Sequence, residues 1–72
     1  MKIAEPLDIA KNRIRFRSLF NWRIFSLIFS RDYFVLMELD DDEPRAFVRK
    51  ILYEGTDAEA VKKVIVKEVC DV

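Results

Sequence analysis

Between Asp32 and Gly55, two apolar runs flank one dense turn signal. Tyr33 to Leu39 is aromatic and aliphatic, the content of a strand that packs on at least one face. Asp40-Asp41-Asp42-Glu43-Pro44 stops it, because Asp bonds its own backbone in turns and Pro cannot donate to a ladder. Ala46 to Tyr53 resumes the apolar pattern and ends at Gly55, the only glycine of the chain. The spacing predicts an antiparallel hairpin closed by a five-residue loop over 40–44.

Upstream, Arg13, Arg15 and Arg17 alternate with Ile14 and Phe16. Period two predicts a strand with one wet face and one buried face. The three guanidinium groups then line one face at about 6.6 Å intervals. Residues 18–31 admit two readings. As a strand, the alternation continues through Phe20, Trp22 and Ile24. As a helix, Ser18 serves as N-cap, but apolar groups surround the axis with no polar stripe. Aromatic and β-branched content favours the strand, with Ser30-Arg31-Asp32 turning into the next one. Residues 1–11 read as a lead-in, where Leu7, Ile9 and Ala10 anchor either a short strand or one helical turn beside Pro6.

After the hairpin, Thr56 as N-cap and Glu59 three residues on form a capping-box pattern. Ala58, Val61, Ile65, Val69 and Val72 fall on one stripe, with Val64 at its edge and Lys62, Lys63 and Lys67 facing away. An amphipathic helix over 56–71 is expected. The fold class is therefore α+β: a meander of three or four antiparallel strands over 12–53 with the C-terminal helix across one face.

Composition sharpens this picture. The chain has 72 residues, enough for one domain but near the lower limit for a self-sufficient core. Small scaffolds draw on disulfides, metals or partners. One Cys and no His exclude an internal disulfide and a zinc site built from this chain alone. A partner subunit remains, and a 51% hydrophobic, 12% aromatic composition agrees with one. No cofactor and no metal are expected. The N-terminus lacks the apolar core of a signal peptide. The run Ile24–Phe29 is far short of the ~20 residues a membrane-spanning helix needs. A cytoplasmic protein without integral membrane association is expected.

Net charge is zero, but residues 1–31 carry seven basic and two acidic groups, against six and eleven in residues 32–72. Such asymmetry marks either an anionic partner or two halves that pack on each other. The chemistry of enzymes is sparse. No His is present to act as general base, and a single Gly excludes a phosphate-cradling loop. Cys70 has no His to activate it. The acidic run 40–43 lacks the spacing of a calcium loop and reads as a solvated turn.

Two surfaces are candidates for function. Phe20, Trp22, Phe25, Phe29, Tyr33 and Phe34 are too many large groups for one side of a small sheet under one helix, and Phe20, Trp22, Phe25 and Phe29 are the ones expected to meet a partner. With Arg23 and Arg31 as a charged rim, they form the expected protein interface of a small non-enzymatic module acting as an oligomer or subunit. The alternative is nucleic-acid binding through Arg13, Arg15 and Arg17, with phosphates on the arginines and bases on nearby aromatics. Strict alternation argues against it, since it sends the arginines and the apolar residues Ile14, Phe16, Phe20 and Trp22 to opposite faces.

Overall fold

The computed structural model describes residues 2–72, and its architecture is a single antiparallel sheet with one helix packed on it. The strands are β1 (Ala4–Ala10), β2 (Arg13–Ser18), β3 (Ile24–Ser30), β4 (Tyr33–Leu39) and β5 (Val48–Gly55), followed by α1 (Ala58–Val69). Strand order equals chain order, so every neighbour pair is a hairpin. The sheet thus has five strands, where three or four were expected.

The additional strand lies in the lead-in. Pro6 is tolerated there because β1 is an edge strand, and a bulge between Pro6 and Asp8 sits beside it. The predicted continuous strand through 18–24 is broken by a turn at Leu19–Asn21. Trp22 adopts φ 63°, which no pattern of hydrophobicity announces. The reversal after β3 falls at Arg31-Asp32, with Arg31 at φ 54°. Between β4 and β5 the connection runs from residue 40 to 47 rather than 40 to 44. The Asp40 N–H donates to the Phe47 carbonyl at 3.1 Å, and the Phe47 N–H donates to Asp40 Oδ1 at 3.0 Å. That pairing closes the loop and removes Ala46 and Phe47 from the ladder.

The helix begins one residue later than the capping-box pattern implies. Asp57, not Thr56, is the N-cap, and its carboxylate accepts from the Glu59 and Ala60 N–H groups at 3.0 and 3.2 Å. Gly55 makes room for the fastening next to it. The Tyr53 ring lies over Gly55, where a Cβ would meet the hydroxyl at 2.6 Å. The same hydroxyl accepts from the Asp57 N–H at 3.1 Å, tying β5 to the helix start.

The core lies between sheet and helix. Phe16 and Phe25 are direct cross-strand partners with stacked rings 5.5 Å apart. Leu36 on β4 and Val61 and Val69 on α1 complete the buried cluster. Ile65 and Val64 pack at its margin, whereas Ala58 and Val72 of the predicted stripe are exposed. The helix starts at β5 through Asp57 and ends at the β2–β3 turn, where Ser18 Oγ donates to the Val69 carbonyl. It therefore crosses the sheet diagonally.

Candidate interaction surface

Residues 13–17 form β2 as their alternation predicts. Ile14 and Phe16 face the helix, and Arg13, Arg15 and Arg17 face the other side of the sheet. All three guanidinium groups are engaged within the chain. Arg13 donates to Asp8 at 2.8 Å, and Arg17 donates to Glu5 at 3.1 Å and to Asp42 at 2.6 Å. Arg15 donates to the main-chain carbonyls of Glu43 and Pro44 at 2.9 and 3.3 Å. The acidic loop thus folds over the arginine side of the sheet, with Asp42 on Arg17 as the ion pair that joins it to β2. Asp41, Asp42 and Glu43 bring their carboxylate oxygens within 4.8 Å of one another at the exposed tip, but Asp42 is committed to Arg17.

Trp22 corrects the expected separation of arginines and aromatics. Because the chain turns before it, its ring lies beside the Arg17 guanidinium, 5.8 Å from carbon to ring centroid. Trp22 is 64% exposed and Phe20 is exposed with it. The other expected interface residues divide. Phe25 is 1% exposed and belongs to the core, so no partner reaches it. Phe29 is half-buried on the helix side, and Arg31 is exposed in the β3–β4 turn.

Arg23 is not a rim residue. It stacks on Phe25, with 5.2 Å from guanidinium carbon to ring centroid, and grips Glu38 with two bonds of 3.1 and 2.7 Å. The same guanidinium reaches Glu68 on α1 at 2.7 Å. The hydrogen bonds from Arg23 hold the Glu38 carboxyl below the usual range, against its burial, with Arg49 and Lys50 adding to the effect. The bond to Glu38 likewise raises the Arg23 guanidinium above its ordinary value. Beside it, Asn21 Nδ2 donates to the carbonyls of Glu68 and Asp71. Ser18, Asn21 and Arg23 together satisfy the open carbonyls at the helix C-terminus and place a cation at its negative end.

Sequence reasoning missed the most open apolar surface. On the face away from α1, the strand registers align Ile28 with Val35, Met37 with Ile51, and Leu39 with Val48. Leu39 is buried at the loop end of this face. Ile28, Val48 and Ile51 are exposed, Ile51 to 55%. The signal was present in β4: Tyr33–Leu39 is apolar at nearly every position, which marks a strand apolar on both faces. Both edges of the sheet, in contrast, are blunted. β1 carries Pro6 and its bulge, and β5 carries two register shifts with Arg49 and Lys50 exposed along it. No helix among the described residues is long and apolar enough to cross a membrane. No protein family, curated protein or solved structure matches the chain.

Proposed function

We propose that this chain is a small non-enzymatic interaction module that works as an oligomer or as a subunit. The reading rests on one observation: exposed Ile28, Val48 and Ile51 share the sheet face that α1 does not cover. Grouped apolar side chains at a rigid sheet face are the ordinary makings of a protein contact. The blunted edges direct a partner to that face and away from strand addition. The non-enzymatic part of the proposal rests on the side chains available. The sequence has no His, and its one thiol, Cys70, is exposed at the helix end.

Ile51→Asp tests the proposal, because the side chain is exposed and its loss leaves the core intact. Sedimentation velocity across a wide concentration range and binding of an apolar dye are the measurements. The wild type is expected to self-associate or, as a monomer, to bind the dye at this face, and Ile51→Asp to lose that property. An aspartate variant that matches the wild type in both measurements overturns the reading.

A further inference from the structure

The open face around Ile51 carries opposite charges at the two ends of one row. Across the sheet, Arg13 on β2 pairs with Ile28 on β3, Ile28 with Val35 on β4, and Val35 with Glu54 on β5. The row reads cation, apolar, apolar, anion. At roughly 4.8 Å between strands, its charged ends lie about 14 Å apart. Arg13 has one ion pair, with Asp8, and its side chain is still 39% exposed. Arg17, two residues along the same strand, shows that such a guanidinium takes two carboxylates, Glu5 and Asp42. Glu54 is exposed and has no Lys or Arg nitrogen within 4.0 Å among the described residues.

Such a row is complementary to itself. Take a twofold axis between two stacked faces, parallel to the strands and midway between β3 and β4. It lays β2 of each copy over β5 of the other, and β3 over β4. Arg13 of each copy then faces Glu54 of the other, and Ile28 faces Val35. The relief of the face fits the same axis. The loop over 40–47 rests on β2 through Arg15 and Arg17, which raises that side. The β5 side is open, with Val48 and Ile51 exposed. The raised side of each copy therefore meets the open side of the other. An axis running across the strands instead lays β2 on β2 and sets arginine against arginine, which is unfavourable.

We infer that a second copy of the chain covers this face, as a twofold dimer of stacked sheets with reciprocal Arg13–Glu54 pairs. The dimer rests on the oligomer reading proposed above and gives it a partner and a geometry. Aligned sheets stack about 10 Å apart, a gap that an arginine and a glutamate bridge from opposite sides. Four strands and about six residues along each give a footprint of roughly 400 Å² per copy. That is small for a specific interface, so the dimer is expected to form in the micromolar range or above.

Charge exchange tests it. Sedimentation velocity from micromolar to millimolar concentration gives the dimer constant of the wild type, of Arg13→Glu, of Glu54→Arg, and of an equimolar mixture of the two variants. Neither position is in the core, and circular dichroism checks that both variants are folded. Each variant alone sets like charges together twice and should associate about tenfold more weakly than the wild type. In the mixture every reversed charge meets its opposite, and association should return to near wild-type strength. A mixture no tighter than its components overturns the inference. So does tighter self-association of Arg13→Glu, the sign of β2 lying on β2. A wild type that associates through Ile51 yet ignores both charge changes defeats this geometry and leaves the wider proposal standing. A wild type that stays monomeric at millimolar concentration overturns the dimer, and dye binding at Ile51 then decides the wider proposal.

Discussion

Two sets of arginines, encoded within eleven residues of each other, play opposite parts. Arg13, Arg15 and Arg17 lie on an outer face, where Arg15 and Arg17 hold an exposed loop. Arg23 lies at the junction of β3, β4 and α1 with its side chain 22% exposed, and its carboxylate partner Glu38 is 6% exposed. Both sets make short ion pairs. What separates them is the solvent around the carboxylates: Arg17 is 23% exposed, much as Arg23 is, but its partners Glu5 and Asp42 are 37% and 44% exposed. Exposed pairs exchange one hydrated state for another and contribute about 0–1 kcal/mol. A buried pair, once half of it is removed, leaves a charge that neither water nor protein satisfies.

The contrast is broken most directly at Arg23. Arg23→Met leaves Glu38 and Glu68 facing the core without their cation, and urea denaturation should read a loss of about 3–5 kcal/mol. Arg23→Met combined with Glu38→Leu should recover a large part of that loss, because no buried carboxylate is then stranded against the sheet. A double variant no more stable than the single one would place the energy in packing on Phe25 rather than in charge.

Acid sharpens the same comparison. Glu38 has a folded pKa below its unfolded one, so its stabilisation is complete above the ordinary Glu value of about 4.3. It fades as pH falls through the lower, folded value. Stability measured by denaturant titration should therefore drop on acidification below about pH 4.3, and Glu38→Gln should flatten that drop. An unchanged slope in the variant would assign the acid sensitivity to other carboxylates.

The outer set gives the smallest effect. Arg17→Gln should cost no more than about 1 kcal/mol, and that cost should diminish in high salt. A loss as large as that of Arg23→Met would mean that the loop over 40–47 is part of the cooperative core.

The alternating arginines were legible in the sequence because an isolated strand advertises its own period. So was β4, whose bounds at Tyr33 and Leu39 follow from composition alone. The Arg23 cluster was not. Its partners Glu38 and Glu68 are 15 and 45 residues away, and nothing local requires them to meet. The turn before Arg23 was obscured for a related reason. It contains neither Gly nor Pro, and Ser18 organises it by accepting from the Phe20 and Asn21 N–H groups at 3.0 and 3.2 Å. Ser18, which the helical reading of 18–31 made an N-cap, starts no helix: it organises a single turn, while its hydroxyl proton serves a helix 51 residues later. The fifth strand was hidden because Pro6 stands inside it, and an edge strand tolerates what a central one does not.

The lock between the β2–β3 turn and the end of α1 also sets an order of events. Every strand pairing joins consecutive segments, so the meander closes through short loops and gains its contacts early. Ser18, Asn21 and Arg23 must instead wait for a helix on the far side of the chain. The hairpins are thus built for speed of folding and this junction for persistence once folded. Loss of Arg23 should appear chiefly in the unfolding arm of a chevron plot, shortening the lifetime of the native state while the folding rate barely changes.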